Sequence, residues 1–322
     1  MEYIDVFNGD ADGLCALVQL RLAQPRQAQL VTGIKRDINL LKNIEANNNV
    51  HITVLDISLA KNNQDVLRLL AEGASIDYID HHQPGEIIKH EKLSIAIEVE
   101  ANTCTSLIVD KRLNGQYREW AITAAFGDNL LDKAMVLGWK LGLSEPELTL
   151  LKQLGILLNY NGYGASISDL FFDPADLFQK MKKFDSPFEF IVNERETFAI
   201  LERGYRQDMA LAKKAQLTHQ TKYSVVIIFP NEAWARRVSG VYGNELANGY
   251  PDRAHAVVTR QEKGGYTVSV RAPLNRKQGA DELVSQFPTG GGRKAAAGIN
   301  HLPEEMLEAF ILAFEVKFQH DC

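Results

Sequence analysis

Over its first hundred residues the chain alternates short apolar runs with helix-patterned segments, and several of those runs close on acidic residues. The runs are YIDVF (3–7), AQLVTGI (28–34), VHITVLDI (50–57), ASIDYID (74–80) and LSIAIEV (93–99). Between them, DGLCALVQLRLAQ (12–24) and NQDVLRLLAEG (63–73) carry apolar residues at helical spacing, the second stopped by Gly73. Strands alternating with helices call for a mainly parallel sheet covered on both faces, with any ligand crevice beyond the carboxyl ends of the strands. That edge is where Asp10 and Asp12 of FNGDADGL, Asp56 of VLDIS, and Asp80, His81 and His82 of IDYIDHHQ fall.

Taken singly, these are ordinary features. D-x-D-G is most often a turn or a helix N-cap, whereas an Asp followed by two His at a strand end is rarer. Asp128 of AAFGDN joins the set only if the fold carries it there. Carboxylates gathered in one place repel and are driven toward protonation unless a cation sits among them. Oxygen donors with one or two imidazoles suit Mn²⁺ or Mg²⁺ better than thiolate-seeking metals. Five carboxylates exceed what one ion needs, and two ions about 3.5 to 4 Å apart sharing a bridging carboxylate would use them.

At 322 residues with 45% hydrophobic and 24% charged content, the chain is expected to form two soluble globular domains. A net charge of -6 argues against general coating of duplex nucleic acid. Cys15, Cys104 and Cys322 are too few and too scattered for a disulfide framework, which fits a reducing compartment. MEYIDVF lacks a leader pattern and no apolar stretch is long enough to span a bilayer, so the expected setting is the cytoplasm, away from membranes. Residues 119–217 read as mainly helical, and strand signals resume at YSVVIIF (223–229), AHAVVTR (254–260) and YTVSVRA (266–272). The expected division is a first domain over 1–187, a helical linker over 188–221 and a smaller α/β domain over 222–322, with an active-site cleft between the domains.

In the last of these, PTGGGRKAAAGIN (288–300) offers Gly290, Gly291 and Gly292 followed by Arg293 and Lys294. Backbone amides freed by glycine beside two cations make a phosphate cradle, although a glycine turn before a helix reads equally well. Arg236 and Arg237 read as a solvated surface pair more than as cleft residues. Residues 222–322 hold 12 Lys and Arg against 11 Asp and Glu, without the basic groove that tracks long single strands.

These motifs resemble the DHH phosphoesterases with an appended DHHA1 domain, over nearly the whole chain. NGDADG is similar to the family's first motif, with Asn8 where a His is usual; Asp56 stands at the second motif; DHH at 80–82 is the signature; and Asp128 fits the fourth. NTCTSL (102–107) resembles the hydroxyl-rich segment between the third and fourth motifs. GGGRKAAAG resembles the DHHA1 motif with Arg293 in place of its His, and VSVRAP resembles the strand bearing a substrate-binding arginine, here Arg271. The resemblance implies two Mn²⁺ ions, with Mg²⁺ as the substitute. One would be held by Asp10 and Asp56 near Asn8, the other by Asp12, Asp56, His81 and Asp128, with Asp56 bridging. Asp80 would orient His81 or a bound water, His82 would face the scissile phosphate, and Arg271, Arg293 and the three glycines would bind substrate. The layout is most similar to bacterial enzymes that hydrolyse the linear dinucleotide pGpG to GMP in cyclic di-GMP turnover. A nanoRNA or pApA hydrolase, a single-strand exonuclease, a pyrophosphatase and a non-hydrolytic nucleotide sensor are the alternatives.

Overall fold

In the computed structural model, which describes residues 1–215 and 217–319, the opening apolar runs become β1 (Glu2–Phe7), β2 (Gln29–Val31), β3 (Val50–Leu55), β4 (Ser75–Asp80) and β5 (Leu93–Ile97). They pair in the order β2-β1-β3-β4-β5, every pair parallel. Parallel neighbours need crossovers, and α1 (Ala11–Ala23) and α2 (Leu59–Ala71) provide two of them. Because side chains alternate along a strand, Val6, Val54 and Tyr78 pack with Val66 and Leu69 of α2. Phe7, Leu55 and Ile79 face the other way and pack with Leu14 and Leu17 of α1. Residues Ala11 to Arg21 of α1 are all buried, since α3 (Thr105–Arg112) and α4 (Arg118–Gly127) cover its outer side.

β2 is shorter than the run 28–34 that the sequence offers. Past Val31 the chain bends away: the Asp37 carboxylate accepts the Ile34 amide at 3.1 Å, and the Lys35 amide donates to the Gly162 carbonyl at 2.8 Å. The helical stretch resolves into α4, α5 (Leu131–Leu141), α6 (Glu145–Asn161), α7 (Pro174–Met181), α8 (Pro187–Asn193) and α9 (Arg195–Ala212). Ser144 and Glu147 form a capping box that starts α6.

Two structural units are separated within α9, one spanning Met1–Glu202 and the other Arg203–Cys322. In the second, β6 (Leu217–Gln220), β7 (Ser224–Phe229), β8 (Ala254–Arg260), β9 (Tyr266–Arg271), β10 (Gly290–Gly292) and β11 (Ala296–Leu302) form a mixed sheet. Its order is β10-β11-β9-β8-β7-β6, with only β7 and β8 parallel. α10 (Ala233–Gly249) contacts β8 and β9, and the short α11 (Ala280–Val284) contacts β10 and β11, while Phe310 and Phe314 of α12 (Leu307–Phe318) join Val226, Val268 and Val270 in the core. The glycine stretch, which reads as a phosphate cradle or as a turn before a helix, leads into no helix and is the first strand of the β10–β11 hairpin. Three glycines carry no strand propensity, and only pairing with β11 makes them one. Among the described residues, no helix is long and apolar enough to cross a membrane.

Candidate metal centre

The carboxyl ends of β1, β3 and β4 deliver the acidic residues to one edge. Asp10 caps α1: its Oδ1 accepts the amides of Asp12 and Gly13 at 3.0 and 3.1 Å. Asp12, in the first turn, has its two carboxylate oxygens against the start of α3, accepting the Thr105 and Ser106 amides at 2.7 Å each. A helix N-terminus favours negative charge there. Asp56 follows β3 with a left-handed backbone, φ 58°, which costs a residue with a Cβ on the order of 1 kcal/mol. The Thr105 hydroxyl donates to its Oδ1 at 3.3 Å.

His81 shows how these groups are meant to be filled. Its Nδ1 lies 3.0 Å from the Thr103 carbonyl and so donates to it. Nε2 then faces carboxylate oxygens, 3.2 Å from Asp56 and 3.8 Å from Asp12. A nitrogen lone pair against two acceptors is tolerable only with a cation or a proton between them. Donor atoms of Asp12, His81 and Asp128 lie within 4.8 Å of one another, and so do those of Asp56, His81 and His82. This set of carboxylate oxygens and imidazole nitrogens fits Mn²⁺ or Mg²⁺.

Asp128 follows the last residue of α4, and small residues carry it in. A Cβ on Gly127 would lie 2.4 Å from the Ala11 side chain and 2.8 Å from the Gly155 carbonyl, and one on Gly155 would lie 2.1 Å from the Thr123 carbonyl. The missing side chains let α4 settle onto α1 and α6. Asp80 sits elsewhere in the network than at His81's imidazole: its Oδ1 is 2.7 Å from His82 Nδ1, while His81 Nδ1 is held by Thr103.

Asp10 belongs to neither metal-ligand group. The ammonium of Lys35, in the turn after β2, binds its Oδ2 directly and also donates to Asn159 Oδ1 at 3.2 Å. Lys35 Nζ lies 4.0 Å from Asp128. Asn8 donates from Nδ2 to the Lys35 carbonyl at 3.2 Å, and its buried Oδ1 has no partner among the described residues.

Electrostatics separate these acids. Burial, then the charge of Asp56, pushes Asp12 up to about 7. Burial and the charge of Asp10 hold Asp56 well above the usual carboxylate range. Burial pushes Asp10 the same way, but Lys35 overrides it and leaves Asp10 below its ordinary value. Burial likewise opposes ionisation of Asp80, and His82 reverses the sign. For Lys35, burial would favour the neutral amine, yet Asp10 drives the ammonium well above its ordinary range.

In the second unit, Arg271 at the end of β9 is anchored by α10: Nε donates to Asn244 Oδ1 at 2.6 Å and Nη2 to the Gly240 carbonyl at 3.2 Å. Packing accounts for two of the three glycines of β10. A Cβ on Gly290 would lie 1.8 Å from the Val284 carbonyl, and one on Gly292, at φ 142°, would lie 2.5 Å from the Ala297 Cα. Gly291 has nothing within 4 Å of where a Cβ would stand, so no packing contact requires a glycine there. The Arg293 amide closes the hairpin turn by donating to the Ala296 carbonyl at 2.9 Å. Arg237 is not a solvated surface residue, as it pairs with Asp208 at 2.7 Å, both side chains mostly buried. Arg236 donates to Asn231 at 2.6 Å. Cys15 and Cys104 are free and buried, their thiols pushed up chiefly by that burial, and Cys322 lies outside the described residues.

No protein-family model matches the chain, and no curated protein matches it in sequence. In three dimensions it is similar to RecJ from Thermus thermophilus, solved in complex with Mn²⁺, at TM-score 0.62 and 17% identity. That match covers 98% of this chain and 52% of the other, so the chain spans about half of RecJ's length. It is also similar to the pGpG-specific phosphodiesterase PggH from Vibrio cholerae, at TM-score 0.52 and 14% identity, over 100% of both chains. The chain has the DHH/DHHA1 fold.

Within this DHH/DHHA1 fold, Asp10, Asp12, Asp56, Asp80, His81, His82 and Asp128 come together at one sheet edge, with Asn8 beside them. Sequence reasoning missed Lys35. It lies in the polar segment IKRD after a short strand, and no pattern there distinguishes it from a surface lysine. Nor does the sequence mark Thr105 and Ser106, within NTCTSL, as the amide donors that hold Asp12.

Proposed function

We propose that this chain is a divalent-metal-dependent phosphodiesterase acting on short linear dinucleotides, converting pGpG to GMP. The observation that carries this reading is His81. Its Nδ1 is committed to a backbone carbonyl, and its Nε2 is turned toward Asp12 and Asp56, with Asp128 beside them. Asp12, Asp56, His81 and Asp128 would hold the cation, Mn²⁺ first. When bound, it supplies Lewis acidity toward phosphate oxygens and makes water more acidic.

The remaining chemistry belongs to side chains of this chain. Hydrolysis joins a water oxygen to phosphorus, breaks the bond from phosphorus to the 3′-oxygen, and places a proton on that leaving oxygen, so one pGpG and one water give two GMP. We assign the delivered proton to His82, whose ring is partly exposed and held through Nδ1 by the ionised Asp80. Thr103 fixes the orientation of His81, and Thr105 and Ser106 hold Asp12 in place between a helix terminus and the site. Arg271, with Arg293 and the Gly291 backbone, is assigned to holding substrate phosphate.

Support for a short substrate comes from the full-length match with the pGpG-specific PggH and from the near-neutral charge of residues 222–322. Support for manganese comes from the donor set and from the Mn²⁺ complex of RecJ. The test is incubation of the protein and Mn²⁺ with pGpG, pApA, cyclic di-GMP, longer oligonucleotides and pyrophosphate. The expected result is GMP from pGpG, faster than product from any other member. Equal cutting of all short RNAs would make it a nanoRNA hydrolase, and pGpG binding without turnover would make it a sensor. Arg271→Ala and Arg293→Ala are expected to raise KM roughly tenfold or more, as befits a lost charge-assisted hydrogen bond, with kcat little changed.

A further inference from the structure

We propose that the ammonium of Lys35 permanently occupies the place of one of the two cations expected at this edge, so that the chain works with a single divalent ion. This rests on the phosphodiesterase reading above. The expectation of two ions required Asp10, Asp56 and Asn8 to hold one of them. In the structure, Asp10 Oδ2 already carries a cation, the Lys35 ammonium, which also lies 4.0 Å from Asp128, whereas the oxygens of Asp12 accept neutral amides. Asn8 Oδ1 is the donor left over, and with Asp56 it would have to hold a second cation beside the ammonium already bound to Asp10, against the repulsion of like charges.

The Lys35 ammonium is built into position. A Cβ on Gly9 would lie 2.0 Å from the Gly33 carbonyl, so the glycine lets the Lys35 turn press onto the loop that carries Asp10. From above, the Lys35 amide donates to the Gly162 carbonyl at 2.8 Å, and Gly162 itself packs on the Asp10 backbone, where a Cβ would lie 3.1 Å from Cα. Asn159 accepts from the ammonium, and the Tyr163 ring lies 5.6 Å from it. Asn8 belongs to the same device: the residue standing where an imidazole ligand would be expected spends its amide hydrogens on the Lys35 carbonyl. A surface lysine reaching in by chance would not have its backbone held on two sides.

An ammonium and a divalent ion are interchangeable here only as charge. Lys35 offsets part of the repulsion among Asp10, Asp56 and Asp128 without needing a metal concentration to do so. It leaves the ligand group of Asp12, His81 and Asp128, with Asp56 alongside, for the one exchangeable ion.

The experiment is to strip the full-length protein with a chelator, titrate it with Mn²⁺, count bound ions by equilibrium dialysis and record the electron paramagnetic resonance spectrum. The expected result is one Mn²⁺ per chain with the spectrum of an isolated ion, and two coupled ions in a Lys35→Met, Asn8→His double variant. Two coupled ions in the unaltered protein would overturn this inference and leave the phosphodiesterase reading standing if pGpG is cleaved. One ion in both proteins would also overturn it, since Lys35 would not be what excludes the second. No bound ion in the unaltered protein would remove both readings. Should the double variant fail to fold, the count in the unaltered protein still decides.

Discussion

Asp5 and Asp12 lie seven residues apart, both buried, one in the middle of the first sheet and the other at its carboxyl edge. Asp5 is paired: Arg21 of α1 donates to it from Nε at 2.7 Å and from Nη2 at 2.6 Å, and Nη2 also reaches Thr53 at 3.1 Å. Asp12 has acidic neighbours in Asp56, Asp128 and Asp10, and its counter-charge is His81. The middle of the sheet resolves its buried charge within the chain and becomes structural. The edge leaves its charge unresolved, which gives a divalent ion something to bind at the expense of the metal-free fold. Lys35 divides the edge itself, since it settles Asp10 and leaves Asp12 and Asp56 unsettled.

Amide substitutions on each side of this divide sharpen or break it. The largest effect belongs to Asp56→Asn. Turnover is expected to fall by roughly 10³-fold, on the scale of losing one charge-stabilising group in an active site, while the metal-free protein melts at a higher temperature because a like charge is gone. A lower melting temperature would mean that the edge is not repulsive. Next is Asp5→Asn, which strands Arg21 and is expected to cost about 3 to 5 kcal/mol in urea unfolding, the scale of a broken buried ion pair. A loss below about 1 kcal/mol would place Asp5 with the surface pairs.

A smaller effect is expected of Asp80→Asn, which releases His82 from its carboxylate partner. A fall of roughly 10- to 100-fold in turnover is expected, the scale seen when a hydrogen-bonding support behind a working group is removed, with Mn²⁺ affinity unchanged. Weakened Mn²⁺ binding would instead tie Asp80 to His81. The gentlest test is pH. Asp12 is raised to about 7 in the fold, against an ordinary value of 3.8, so the folded state binds the extra proton between those limits. Metal-free stability should therefore be greatest below about pH 4 as far as this group is concerned, and should decline as pH rises toward 7. Saturating Mn²⁺ should flatten or reverse that slope, as measured by thermal melts across the range.

Asp10, Asp12, Asp56 and the Asp80-His81-His82 triplet were legible because each sits at or within a few residues of the carboxyl end of a strand, and a parallel sheet sends all its carboxyl ends the same way. Asp128 was named on its motif, but its route to the site was not readable. That route depends on backbone contact at Gly127 and Gly155, and the absence of a side chain leaves no pattern in the sequence. The second sheet was half legible. β7, β8 and β9 announce themselves as valine-rich runs, whereas β10 is three glycines and β11 opens on Ala-Ala-Gly, a stretch that becomes strand only by pairing.

The amino-acid order by itself determined the parallel first sheet, the acidic edge and the kind of ion that edge suits, because period, strand ends and donor chemistry are local properties. Which acids stand beside His81 and which beside Lys35 was decided by tertiary structure alone. Lys35 meets Asp10 across 25 residues through the turn at Ile34–Asp37 and two hydrogen bonds that its own backbone makes to Asn8 and Gly162, and charge neutralisation depends on distance in space, which the order of residues does not encode.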